Sequence, residues 1–267
     1  MESEERYFER IKQYKLIAKH DVGQNFLIDP KTARAIVDLA ELDEKDKVLE
    51  IGCGAGSLSY FIAASPATSF LLDIDEALIV KLRHDFESQK RVTPMIGNIL
   101  RHDLSPYTKI IGNLPYYITS AIIEKILLQS NAKKAVLMIQ KEAFARLVSP
   151  CGGKNYGPLS ILMSYRASTK KSFIVSRSNF VPAPHVDSFV FCLDFDSKSD
   201  VVTARRLYDV VSALFLHRRK TIGNNLGYYL GNSSKAKDVL TASGISSGLR
   251  PEDVSVGQYL YLVHQLY

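Results

Sequence analysis

Lys47-Val48-Leu49-Glu50-Ile51-Gly52-Cys53-Gly54-Ala55-Gly56 is the stretch on which the fold turns. Its first five residues read as an apolar strand. The glycines that follow let the backbone turn sharply and approach a ligand without Cβ clashes. Downstream, apolar runs at residues 69–74, 91–96, 109–112 and 135–139 alternate with helical patterns such as Ile122, Ile123, Ile126 and Leu127. Strands alternating with helices predict a parallel, doubly wound sheet from Lys47 to Gln140. Residues 189–195 read as a further strand, preceded by Pro182 and Pro184. Beyond Asp194-Phe195-Asp196-Ser197 the β-like runs stop, and residues 204–216, 234–243 and 256–266 read as helices. The expected division is an α/β domain over residues 1–198, led by segment 1–46, and an all-helical domain over residues 199–267.

Composition sets outer bounds. A chain of 267 residues with 46% hydrophobic content can bury one large core and a small appendage. No apolar run approaches the ~18 residues of a membrane helix. The opening Met1-Glu2-Ser3-Glu4-Glu5-Arg6 is acidic, which argues against a signal peptide. Cys53, Cys151 and Cys192 lie far apart, and neither they nor the six histidines show metal-ligand spacing. A reducing, cytoplasmic setting and no metal are therefore expected. The net charge of +6 hints at a polyanionic partner.

A glycine-rich turn after a first strand is generic to nucleotide binders. A dinucleotide fingerprint wants its third glycine at position 57, where this chain has Ser57. An acidic residue before the glycines, here Glu50, is instead a trait of methyltransferases. Asp73 closes the second strand, where a carboxylate can accept from both hydroxyls of a ribose; alone, it reads equally well as a solvated strand end. Asn98 follows the third strand, placed either to bond an adenine amine or to cap a turn. Three polar groups at consecutive strand ends support one another, because ligands bind at that edge of such sheets.

Gly112-Asn113-Leu114-Pro115-Tyr116-Tyr117 follows the fourth strand. The exocyclic amine of adenine is a poor nucleophile, since its lone pair is delocalised into the ring. Two acceptors aimed at its N–H groups would favour a tetrahedral nitrogen. The Asn113 side-chain oxygen and the main-chain carbonyl of Leu114 or Pro115 can supply them. Pro115 restrains its own φ and holds Leu114 extended. Tyr116 offers a flat face for a flipped base.

The order Gly23-Gln24-Asn25-Phe26-Leu27, then Glu50 to Gly56, then Asn113-Leu114-Pro115-Tyr116 resembles the ribosomal RNA adenine dimethyltransferases. The resemblance implies a Rossmann-like domain, S-adenosyl-L-methionine as cofactor, and segment 1–46 closing over it. It places cofactor contacts at Asn25, Leu27, Gly52, Asp73, Asn98 and Asn113. Phe180-Val181-Pro182-Ala183-Pro184-His185-Val186-Asp187-Ser188, the segment Phe215 to Leu226, and Arg250-Pro251-Glu252 look like the KsgA-like branch of ribosome assembly enzymes. That branch implies dimethylation of two adjacent adenines in a hairpin loop near the 3′ end of small-subunit (16S) RNA. The implied partner is an immature 30S particle, with no membrane involved and the protein monomeric. The chain departs from the family's usual Glu at Asp73, its usual Asp at Asn98, and basic residues at Gly223 and Asp21.

Arg218, Arg219 and Lys220 are read as phosphate contacts, as are Lys170-Lys171, Arg177 and Arg205-Arg206, although such runs also occur as plain solvated faces. Phe180 is either a second stacking face for the target base or a core residue behind a proline turn. Two alternatives stay open: a large-subunit (23S) methyltransferase of macrolide resistance, and a nucleic-acid-binding factor that kept the fold without catalysis. The intact Asn113-Leu114-Pro115-Tyr116 argues against the latter.

Overall fold

The computed structural model describes residues 2–13, 24–197 and 199–267, the Lys171 side chain excepted. Nine strands occur in these segments: β1 (Phe26–Leu27), β2 (Lys47–Ile51), β3 (Thr68–Asp73), β4 (Val92–Ile96), β5 (Lys109–Asn113), β6 (Lys134–Gln140), β7 (Ala167–Val175), β8 (Phe180–Val181) and β9 (Ser188–Phe195). Seven of them build one sheet in the order β4-β3-β2-β5-β6-β9-β7. The five strands from β4 to β6 run parallel. That is the parallel sheet expected from Lys47 to Gln140; the further strand β9, whose direction the sequence left open, pairs antiparallel with β6. The chain builds outward from β2 to β4, then returns to lay β5 on the other side of β2. A crevice opens at such a reversal, outside the carboxyl ends of the strands.

The helices follow from spacing and caps. Helix α1 (Glu4–Gln13) buries Tyr7, Phe8 and Ile11, spaced i, i+1, i+4 along one stripe. Helix α2 (Pro30–Asp38) begins where the Asp29 carboxylate accepts from the Thr32 N–H and Pro30 fills the first turn. Helices α3 (Ser59–Ala64), α4 (Glu76–Asp85) and α5 (Thr119–Gln129) follow β2, β3 and β5 respectively, as a doubly wound sheet requires. Residues 26 and 27 form a separate two-stranded ladder with β8, Phe26 opposite Val181 and Leu27 opposite Phe180. That ladder ties the lead-in segment to the end of the domain's chain.

Packing divides the chain into two compact units, 1–143 with 169–195, and 144–168 with 196–267. A single break near Lys198, itself outside the described residues, does not account for residues 144–168. They carry the end of α6 (Lys141–Leu147) and all of α7 (Pro158–Arg166), and Ile161 of α7 joins Leu207, Leu214 and Tyr259 in the core of the second unit. The Tyr156 hydroxyl donates to the Val254 carbonyl at 2.9 Å in the same unit. Around this core lie α8 (Val201–Phe215), α9 (Ile222–Leu230), α10 (Ser233–Ala242) and α11 (Val256–Leu266). Asp200, Thr221, Asn232 and Ser255 each accept from a first-turn N–H of the helix that follows. Gly231, at φ +62°, ends α9 in the left-handed conformation that a side chain would strain.

Candidate active site

A cavity of about 230 Å³ lies at the carboxyl ends of β2, β3, β4 and β5. Asn25, Leu27, Gly52, Asp73, Asn98 and Asn113 all line it, and so do Leu114, Pro115 and Tyr116. The structure thus brings together every residue expected to hold the cofactor and all four of the tetrapeptide. The glycine turn forms its floor. Gly52 and Gly54 adopt φ values of +69° and +51°, and the Gly52 and Cys53 N–H groups both donate to the Leu72 carbonyl. Here glycine is required by the backbone itself.

Two carboxyl groups face this turn. Asp73 accepts from the Gly54 N–H at 2.8 Å and from the Asp75 N–H at 2.9 Å, one on each oxygen. Burial raises its pKa even so. Each oxygen keeps a second lone pair for a ligand hydroxyl. Glu50 is 2% exposed and accepts from the Ser59 hydroxyl at 2.6 Å. Burial pushes its pKa up to about 8, with the nearby Asp73 charge adding to the effect and Ser59 opposing it. No cation pairs with either carboxyl among the described residues. The sequence marked Glu50 as a methyltransferase trait without placing it among the cofactor contacts.

The tetrapeptide is held by a chain of hydrogen bonds. The Leu114 N–H donates to the Met138 carbonyl at 3.0 Å, so β6 anchors the loop. The Thr119 hydroxyl donates to the Pro115 carbonyl at 3.0 Å, and the Ile118 N–H does so at 3.3 Å. The Pro115 carbonyl is therefore engaged, which leaves that of Leu114 as the backbone acceptor of the pair considered from sequence. The Asn113 amide nitrogen donates to the Asn25 carbonyl at 3.2 Å. Tyr116 is half-buried, with its hydroxyl 3.0 Å from the Ser188 hydroxyl. Burial raises its pKa, so it remains a neutral ring.

Two expectations change, at Phe180 and at Arg218. Phe180 is 2% exposed, packed in the core with Phe26 and Leu27, and does not line the cavity. It offers no face to a base, and the β1–β8 ladder that aligns Leu27 with Phe180 is the reason. Asn98 lines the cavity but also caps a short 3-10 turn, its side-chain oxygen accepting from the Leu100 N–H at 2.9 Å. Arg218, in the other unit, lies 3.4 Å from the Glu252 carboxylate and donates to the Lys154 carbonyl at 3.0 Å. Its charge is therefore engaged within the protein, whereas Arg219 and Lys220 are exposed. Gly23 and Asp21 lie outside the described residues.

Sequence reasoning missed the apolar rim. Ile74, Leu100 and Tyr117 line the cavity while 64%, 40% and 62% exposed. Each stands one or two places after a residue that was singled out, at strand ends where an apolar side chain cannot turn into the core. Exposed apolar groups around a concave polar site mark a surface completed by a ligand.

A family model described as ribosomal RNA adenine dimethylase matches residues 16–266. A Streptococcus sanguinis protein named ribosomal RNA small subunit methyltransferase A is 36% identical over 266 residues, spanning 93% of this chain and 91% of that one. A Streptococcus pneumoniae protein of the same name matches equally. Among solved structures, a dimethyladenosine transferase from Plasmodium falciparum superposes with a TM-score of 0.74 at 26% identity, covering 88% of this chain and 94% of that one. The 23S rRNA methyltransferase ErmE gives 0.65 at 25% identity, covering 90% and 99%.

Proposed function

The chain belongs to the ribosomal RNA adenine dimethylase family, and from that premise we propose that it dimethylates N6 of two adjacent adenines near the 3′ end of small-subunit ribosomal RNA. The methyl donor is S-adenosyl-L-methionine, whose sulfonium supplies an electrophilic methyl group. The cavity suits that cofactor: Asp73 offers acceptors for ribose hydroxyls, and Ile74 and Leu100 offer apolar faces for its adenine. The buried carboxyl of Glu50 is protonated at neutral pH, and a positively charged ligand beside it would lower its pKa and let it ionise as a counter-charge.

One observation carries the chemistry. Because the Asn113 amide nitrogen is held by the Asn25 carbonyl, its oxygen is the end left for an incoming amine. Together with the Leu114 carbonyl it provides two acceptors for the two N–H groups of N6. Accepting both favours a pyramidal nitrogen whose lone pair is free to attack. Tyr116 supplies a stacking face for the extruded base, and orientation of the pair contributes the rest. After methyl transfer the ammonium loses its proton to water, so no dedicated base is required.

The tetrapeptide does not choose the RNA. That choice falls to residues 180–188 and 215–226, which look like the small-subunit branch, and the names of the relatives from Streptococcus support the same target. The substrate is an immature 30S particle met in the cytoplasm by a monomer. Residues 199–267 serve RNA binding, with Arg219 and Lys220 as phosphate contacts. Unpaired loop adenines cost less to extrude than paired ones, which suits the site. The test incubates purified protein with unmethylated small subunits, mature large subunits and protein-free large-subunit RNA, then maps dimethyladenosine by primer extension. Two adjacent stops near the small-subunit 3′ end are expected. Modification confined to large-subunit RNA would overturn the assignment.

A further inference from the structure

Tyr228 projects from α9 with 64% of its surface open, yet its ring is held. The Lys220 ammonium donates to its hydroxyl at 3.1 Å and lies 4.7 Å from the ring centroid. The His217 imidazole meets the ring nearly edge-on, with centroids 6.0 Å apart at 67°. Both residues belong to the turn between α8 and α9, and that turn is pinned in its own right. The Lys220 N–H donates to the His217 carbonyl at 2.8 Å. The Asn225 side-chain nitrogen, 2% exposed overall, donates to the same carbonyl at 3.2 Å and to that of Lys220 at 3.4 Å. Asn225 lies three residues before Tyr228 on α9, so one helix carries both the staple of the turn and the ring that the turn supports.

The chemistry of this surface is specific. A largely exposed aromatic ring stands beside an ammonium with two donors to spare, and the exposed Arg219 belongs to the same turn as that ammonium. Apolar faces strung on an anionic chain complement it, which is the chemistry of unpaired RNA bases between phosphates. A ring already fixed loses little rotamer freedom on stacking, so little affinity is spent on ordering it. We propose that Tyr228 is a stacking platform for an unpaired base of the RNA, with Lys220 and Arg219 at the flanking phosphates. This rests on the small-subunit RNA reading and adds a second base-binding position, separate from the one at Tyr116.

The chain contains no tryptophan, so Tyr228→Trp creates a single fluorescent reporter at the site. Titration of that variant with unmethylated small subunits, and separately with their protein-free RNA, is expected to quench its emission. Tyr261→Trp, at an exposed tyrosine of α11, is expected to keep its emission. Tyr228→Ala should weaken RNA binding about tenfold and raise KM for the subunit, with cofactor affinity unchanged; Tyr228→Phe should keep most of the affinity. Binding and KM within twofold of wild type for Tyr228→Ala would overturn the platform while leaving the methyltransferase reading intact. Equal quenching at both tryptophan positions would overturn it as well. Quenching by the subunit but not by its protein-free RNA would assign the ring to a ribosomal protein. Failure of the unaltered protein to bind or methylate small-subunit RNA would overturn both readings together.

Discussion

The side-chain nitrogen of Asn113 donates to the main-chain carbonyl of Asn25, 3.2 Å away and 88 positions earlier in the chain. One bond thus links the lead-in segment to the tetrapeptide and engages the donor end of the amide. Replacing Asn113 with alanine should leave S-adenosyl-L-methionine affinity within about tenfold and lower methyl transfer by a factor on the order of 100 or more, as loss of one charge-stabilising partner does elsewhere. Calorimetry with the cofactor and tritiated-methyl transfer separate the two effects. Asn113→Asp tests the orientation, because a carboxylate cannot donate to the Asn25 carbonyl. Turnover in Asn113→Ala like that of the unaltered protein would remove Asn113 from the mechanism.

Glu50 gives the protein a stability that falls as pH rises. An ordinary glutamate titrates near 4.5, and burial pushes this one up to about 8. Between those values the native state keeps a proton that the unfolded chain has released. The native state therefore binds more protons, and stability declines with pH through this window. Glu50→Gln mimics the protonated form at every pH. The variant should match the unaltered protein near pH 4.5 and exceed it by pH 8, by on the order of 2–4 kcal/mol. Urea midpoints at pH 5, 6, 7 and 8 measure the gap; a gap that does not widen with pH would show that Glu50 is ionised in the native state.

The sequence revealed what has a local period or a dictated backbone, and hid what depends on long-range contact. Strands β2 to β6 are legible because each is an apolar run that ends in glycine or a polar residue. Strand β7 is not, because Ser168, Thr169 and Lys170 give an edge strand no apolar face to read. Strands β1 and β8 are two residues each, and only their pairing makes them strands. The same pairing decides the fate of Phe180, whose neighbouring prolines are equally compatible with an open or a buried ring. The three cations at residues 218–220 look alike in sequence. Glu252, which separates Arg218 from the others, lies 34 positions further on.

Gly56 shows how tightly the cofactor turn is backed by α1. At φ +92° it already disfavours any side chain, and an added Cβ would lie 2.2 Å from the Tyr7 hydroxyl and 2.7 Å from Leu82 Cδ2. Gly56→Ala should cost roughly 2–4 kcal/mol, combining backbone strain and overpacking. Tyr7→Phe removes the nearer obstacle, along with a 3.3 Å hydrogen bond to the Gly56 carbonyl. The double variant should therefore recover part of the loss. Chemical denaturation of all four proteins closes the cycle, and strict additivity would mean that Tyr7 does not bear on the turn.

Arg218, Arg219 and Lys220 should separate into two kinds of residue when they are replaced one by one. Arg218 faces Glu252, whose second carboxylate oxygen is buried without a partner, and it also bonds the Lys154 carbonyl. Removing its guanidinium leaves a largely buried carboxylate without its counter-charge, and that penalty falls on folding. Arg218→Ala should therefore lower the unfolding midpoint, while its direct effect on the salt dependence of RNA binding stays small. Arg219 and Lys220 are exposed, and although the Lys220 ammonium donates to Tyr228, neither charge meets a carboxylate among the described residues, so each can displace counterions from RNA phosphates. Replacing both with alanine should leave the unfolding midpoint nearly unchanged. It should also reduce the slope of log affinity against log salt by up to about 1.4–1.8, the contribution of two phosphate contacts. Cofactor affinity should be unaffected in both cases, because none of the three residues lines the cavity. Filter binding to unmethylated small-subunit RNA across a salt series, together with thermal unfolding, distinguishes the two classes. An unchanged slope for the Arg219, Lys220 pair would mean that these charges only solvate the turn, and RNA contact would then have to be sought elsewhere on the surface.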